Sequence, residues 1–161
     1  MGVKSLSVEF TIPISVLEEA RAFFQLKGRD GCEGTGLLIG VFCDATHASV
    51  TRVFFPEQVC RKSRWGVAVD LTKRAHYTLP DELKGEERFL ARIHSHPAEA
   101  YHSERDDDNQ VISHRGAISI VVPFFGRDSI NLRKCAVYVL DHLEGWTPLS
   151  LEEIERHLKI V

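Results

Sequence analysis

The sequence predicts an α+β (α/β) fold, a mixed β-sheet flanked by helices and folded as a single domain. Three observations carry this. Runs rich in β-branched and apolar residues recur along the chain, two other stretches repeat apolar residues at helical spacing, and nothing interrupts the 161 residues as a linker would. There is no internal repeat, no low-complexity tract and no Gly/Ser-rich segment. A chain of this length can bury one sizeable core.

The elements follow in order. "SVEFTIPIS" (7–15) alternates well enough to be a first strand. Val16, Leu17, Ala20, Phe23, Phe24 and Leu26 then recur on one helical face, and the two glycines of "KGRDG" stop that helix. "GTGLLIGVFCDA" (34–45) is a near-continuous apolar run, as a strand buried on both faces would be. "ASVTRVFFP" (48–56) follows after a short turn and predicts a hairpin, and "WGVAVDLT" (65–72) predicts another strand. "FLARIHSH" (89–96) reads as a strand, and "SERDDDNQVISHR" (103–115) as a short helix capped by Ser103. "AISIVVPFF" (117–125) and "RKCAVYVLD" (133–141) are strands rich in β-branched residues. The closing "SLEEIERHLKIV" carries a capping box, Ser150 with Glu153, and sets Leu151, Ile154 and Leu158 on one face.

Composition narrows the function. A net charge of −3 with 27% charged residues gives no basic stripe, which argues against a nucleic-acid partner. No apolar run is long enough to span a bilayer, and "MGVKSLSVEF" has no apolar segment of the kind that precedes a leader cleavage site. The expected location is therefore cytoplasmic. The four cysteines, Cys32, Cys43, Cys60 and Cys135, contain no Cys-x-x-Cys pair and are expected to be reduced thiols. Nothing local activates Cys32 as a nucleophile.

The stretch that carries chemistry is "RIHSHPAEAYHSERDDDNQ" (92–110). Side chains two apart on a strand share a face, so His94 and His96 can present two imidazoles together. Asp106 then falls in the first turn of the predicted helix, where a carboxylate suits the helix dipole. Two imidazoles and one carboxylate can bind zinc and leave a coordination position for water. Alone, His-x-His on a strand is more often a hydrogen-bonded pair, Ser-x-x-Asp a simple cap, and Asp106 to Asp108 a solvated turn. Upstream, "CEGTGLLIG" adds Glu33 at the head of a glycine-spaced strand whose Gly36 and Gly40 would allow close backbone approach.

Taken in order, Glu33-Gly34-Thr35-Gly36-Leu37-Leu38-Ile39-Gly40, His94-Ser95-His96-Pro97 and Ser103-Glu104-Arg105-Asp106 resemble the JAMM (JAB1/MPN+) metalloprotease family. The resemblance runs from about residue 10 to 145. It implies the cytidine-deaminase-like JAB/MPN fold across residues 1–161, with zinc held by His94, His96 and Asp106. Glu33 would take a proton from the attacking water and pass it to the leaving amine, and Ser103 would hydrogen-bond the oxyanion. The segment from Pro97 to His102 is one residue shorter than the family's usual spacing, so counting from His96 selects Asp107 as the fallback ligand.

"His102-Ser103" and the closing "GWTPLSLEEIERHL" are similar to bacterial members found beside ubiquitin-activating-like enzymes. That branch implies a deconjugase of a ubiquitin-like protein or an E2-conjugated protein, with E1- and E2-like partners, in antiphage defence. The alternatives are a peptidase that processes a ubiquitin-like or sulfur-carrier precursor, and a metal-free scaffold of the same fold. A DNA-associated relative is a poorer match because the chain lacks a basic patch. His114 is expected at the surface or behind the ligands, and His47, His76, His142 and His157 show no ligand spacing. Trp65 and Trp146 are expected as core or rim residues, and an exposed one could bind a partner.

Overall fold

The computed structural model describes residues 6–100, 112–141 and 143–161. Among them, ten strands are assigned: β1 (Glu9–Ile12), β2 (Thr35–Phe42), β3 (His47–Phe54), β4 (Gln58–Ser63), β5 (Gly66–Leu71), β6 (Arg88–Ser95), β7 (Ile118–Val122), β8 (Ala136–Asp141), β9 (Gly145–Pro148) and β10 (Leu158–Ile160). The helices are α1 (Ile14–Gly28), α2 (Lys73–Thr78) and α3 (Leu151–His157).

Eight strands form one mixed sheet in the order β10-β1-β3-β2-β6-β7-β8-β9. The pairs β10/β1, β1/β3 and β6/β7 are parallel, and the others are antiparallel. The remaining two, β4 and β5, make a separate antiparallel hairpin. The architecture is the mixed sheet with flanking helices that the sequence predicts.

The two faces of the sheet are covered differently. On one face α1 buries Val16, Leu17, Ala20 and Phe24 against Leu38, Val50, Ile93 and Ile120, and α3 adds Ile154. Phe24 has no solvent exposure, so truncating it to alanine removes a large apolar contact at a cost of about 3–5 kcal/mol. The opposite face carries a smaller cluster of Leu37, Leu79, Ile112, Ala117 and Leu140, with Trp146 against it. Adjacent residues of β2, Leu37 and Leu38, thus enter different clusters, as alternation on a strand requires. Burial on both faces is why β2 reads as an unbroken apolar run.

At Gly40 a bulge shifts the β2–β3 register, and a Cβ there would stand 2.0 Å from the Ser49 carbonyl oxygen. Only glycine fits such an approach. At Gly36 the close neighbour is instead the Phe55 ring, at 3.0 Å.

The tail is capped as predicted. The Ser150 side chain accepts from the Glu153 N–H, and the Glu153 carboxylate accepts from the Ser150 N–H at 2.7 Å. Leu158 does not continue the helix, because the chain turns there into β10 and pairs with β1. Most of the helix expected over 103–115 lies outside the described residues, and residues 112–115 are loop and turn.

The expectation of four reduced cysteines is overturned. Cys32 and Cys60 form a disulfide, with Cα atoms 5.6 Å apart. The pairing exists because the β4–β5 hairpin folds back over the start of β2, a contact across 28 positions that no local pattern announces. Cys43 and Cys135 are free.

Candidate metal centre

The site begins with the register between β2 and β6. Thr35 pairs with His94, Gly36 with Ile93 and Leu37 with Arg92 in an antiparallel ladder. Continuing that register two residues beyond Thr35 sets Glu33 opposite His96. Directly opposed residues of an antiparallel pair point to the same face. Glu33, Thr35 and Leu37 therefore share a face with His96, His94 and Arg92, and all six line one cavity of about 810 Å³.

The histidines converge. His94 Nε2 and His96 Nε2 stand 3.3 Å apart, on rings that are 4% and 3% exposed at residue level. Imidazole nitrogens about 2.0–2.1 Å from a tetrahedral ion stand about 3.3–3.4 Å apart, so the pair has the spacing of two adjacent ligands. Glu33 is buried in the same wall, at 7% exposure. Two convergent imidazoles are donors that a divalent ion takes, and a buried carboxylate on the same face suits a base for its water.

Among the described residues no group of three His, Cys, Asp or Glu side chains completes a metal site. The expected third ligand, Asp106, lies outside the described residues, as do its fallback Asp107, the oxyanion donor Ser103 and His102.

Two features hold the loop and strand ends in place. Ser95, fully buried between the histidines, points to the other face, where its Oγ accepts from the Gly34 N–H at 2.9 Å. Its own N–H donates to the Gly34 carbonyl at 3.0 Å. These bonds clamp the residue after Glu33 to the residue between the ligands. Gly34 is closely packed: a Cβ would stand 3.0 Å from the Phe23 and Phe24 rings, which would have to shift to admit it.

The second feature is the turn after β7. The His96 N–H donates to Val122 O at 2.8 Å and the Phe125 N–H to His96 O at 2.9 Å. Phe124 and Phe125 take left-handed backbone angles, φ 53 and 54, a conformation that costs non-glycine residues energy. The Arg21 guanidinium holds that turn by donating to the carbonyls of Gly126 and Arg127 at 3.1 and 3.0 Å.

Sequence reasoning missed Ser95, and it missed Arg92. Arg92 is buried on the cavity wall, donates from Nε to Ser119 Oγ at 3.0 Å, and lies with its guanidinium 4.5 Å from the Trp146 ring centre. The signal was present: Arg92 stands two residues before His94, at the strand period. Trp146 is half-buried against this cation, and Trp65 is 83% exposed at the tip of the β4–β5 hairpin. His76, on α2, lines the cavity despite showing no ligand spacing. His114 is exposed, and His47 pairs with Asp44 at 3.1 Å.

Paired buried imidazoles and a buried glutamate share one sheet face beside an open cavity, the two donors and the base that a metal-dependent hydrolase would use. No protein-family model matches the chain. It is 31% identical over 150 residues to the probable metalloprotease y4jG of Sinorhizobium fredii, covering 92% of each chain. Among solved structures it is similar to protein DSY2949 of Desulfitobacterium hafniense, with a TM-score of 0.61 and 20% identity over 94% of this chain and 91% of that one. It is also similar to AF2198, a JAB1/MPN domain protein of Archaeoglobus fulgidus, with a TM-score of 0.50 and 14% identity over 95% and 98%. The chain belongs to the JAMM/MPN metalloprotease family.

Proposed function

We propose that residues 1–161 form one JAB/MPN peptidase domain, a zinc-dependent isopeptidase that cuts after the C-terminus of a ubiquitin-like protein or of an E2-conjugated protein. The observation that carries this reading is the convergence of His94 and His96 at 3.3 Å on the face that bears buried Glu33. Family membership supplies the peptidase prior.

His94, His96 and Asp106 would hold the zinc, which supplies Lewis acidity and brings the pKa of a water to roughly 7. Glu33 takes a proton from the attacking water and delivers it to the leaving amine, which an amide needs because an amine departs poorly unprotonated. Its burial in the cavity wall restricts the directions the carboxylate can take. Ser103 donates a hydrogen bond to the developing oxyanion. The substrate's extended tail enters the cavity beside the β4–β5 hairpin as an added strand.

The setting we propose is cytoplasmic antiphage defence, with E1- and E2-like enzymes as partners and no nucleic acid or membrane involved. The net charge of −3 supports the absence of a nucleic-acid partner. Among the described residues no helix is long and apolar enough to cross a membrane.

The test is mass spectrometry of a ubiquitin-like protein linked to a lysine, incubated with wild type, Glu33→Gln and wild type plus chelator. Wild type alone should release an intact C-terminal carboxylate, and Glu33→Gln should keep its zinc. Cleavage restricted to a precursor fusion would make the protein a processing peptidase. Unimpaired cleavage by Glu33→Gln would refute the mechanism, no cleavage by the zinc-loaded protein would point to a missing activating partner, and a protein that takes up no zinc would be a scaffold.

A further inference from the structure

We propose that the Cys32–Cys60 disulfide is a redox-operated clamp that closes the β4–β5 hairpin over the site and fixes the Glu33 loop, so that full turnover requires the bond to be formed. The inference rests on the peptidase reading above. Its first support is position. Cys32 is the residue before Glu33, and Cys60, in the middle of β4, lines the same cavity as Glu33. The bond joins the roof of the cavity to the backbone that carries the proposed base.

The second support is where the roof is fastened: among the described residues Leu71, at the end of β5, packs against the smaller core cluster, and further ties run to the loop before β2. Among the described residues β4 and β5 pair only with each other, and a lone two-stranded hairpin is marginally stable. Its base is fastened where the Gln58 side chain accepts from Thr35 N at 2.9 Å and donates to Thr35 O at 3.0 Å. Beyond Gln58, the disulfide and the Lys62 ammonium on the Asp30 carbonyl tie the hairpin to the loop before β2. Both of these ties end on that loop, so opening the disulfide loosens the roof and the base together.

The third support is chemical selectivity. Both bridged residues are partly exposed, so a thiolate can reach the sulfurs. Cys43 lies elsewhere on the surface, and burial pushes the Cys135 thiol up to about 12, which leaves it unreactive. In the cytoplasmic setting proposed here, disulfides that form are mostly transient and redox-sensing. Opening consumes a dithiol: one thiolate attacks a bridge sulfur, the other resolves the mixed disulfide, and a cyclic disulfide leaves behind two protein thiols. Closing consumes one oxidised glutathione and releases two reduced ones.

The experiment compares oxidised protein, protein reduced with dithiothreitol and then freed of it, and the Cys32→Ser/Cys60→Ser variant. Each is scored for zinc content, for hydrogen exchange over residues 58–71 and 30–35, and for kcat and KM on the conjugate. Reduction should speed exchange in both segments and lower kcat roughly ten- to a hundredfold with zinc retained, the scale of a small misplacement of a reacting group. Oxidised glutathione should reverse this in wild type, and the variant should match the reduced form in either buffer. Equal exchange and equal kcat in the two redox states, or failure of oxidised glutathione to form the bond, overturns the clamp. Should no form cleave, the peptidase reading has failed, and with it the control of turnover. The exchange data then decide the mechanical clamp on their own.

Discussion

Gly34 and Ser95 are bonded twice, the Gly34 N–H donating to Ser95 Oγ at 2.9 Å and the Ser95 N–H to Gly34 O at 3.0 Å. One of these bonds belongs to the strand pairing and survives any substitution at Ser95. The other depends on the hydroxyl. Ser95→Ala leaves the buried Gly34 N–H without its acceptor, which costs about 1–3 kcal/mol. Because Gly34 follows Glu33, kcat should fall more than KM changes, while Ser95→Thr or Ser95→Cys should recover part of the loss only if the cavity behind the hydroxyl has room. Denaturant melts paired with steady-state kinetics read both effects. Unchanged stability in Ser95→Ala would show that water replaces the hydroxyl.

Gly40 sits where β2 and β3 shift register, with Ser49 O 2.0 Å from where a Cβ would be. The obstacle is backbone, which cannot rotate aside. Gly40→Ala should destabilise by about 1–3 kcal/mol or more, the scale of overpacking a core. Thermal melts check this, and a neutral result would mean that the two strands separate at the bulge without loss.

The Arg52 guanidinium bonds the Glu87 carboxylate, Nη2 to Oε2 at 2.9 Å, and is the main reason that carboxyl is held at about 2 instead of 4.5; the Lys84 N–H adds to it. A folded-state value below the unfolded one contributes stability above about pH 4.5, and that contribution fades as pH falls toward 2. Arg52→Leu should therefore be less stable than wild type at neutral pH, with the gap narrowing through that acidic window. A pH-independent remainder should persist, because Arg52 Nη2 also donates to the Glu82 carbonyl at 2.6 Å. Asp44, held at about 2 chiefly by the Thr46 N–H, titrates in the same window but cancels in the difference. Paired melting curves from neutral pH to pH 2 test the sign.

The ligand register is open to direct assay. Asp106→Asn should lose zinc by elemental analysis and Asp107→Asn should keep it. The reverse result would move the third ligand to Asp107, following the shortened Pro97–His102 segment.

What the sequence determined by itself is everything whose cause is local. β2, β6, β7 and β8 are legible because burial in a central position demands runs of apolar and β-branched residues. α1 is legible from its spacing and α3 from its reciprocal cap. His94 and His96 share a face because the strand period is two. Tertiary structure decided the rest. β4, "QVCRKS", faces solvent along much of its length and pairs outside the main sheet, so no apolar pattern marks it. β10 is a strand because β1 offers it a parallel edge, which overrides the helical spacing that reaches Leu158. The Cys32–Cys60 bond and the meeting of Glu33 with His96 likewise depend on distant segments arriving together. A sequence records what each residue prefers among its neighbours along the chain; a register between strands, and a hairpin folded over them, are set by the packing of the whole.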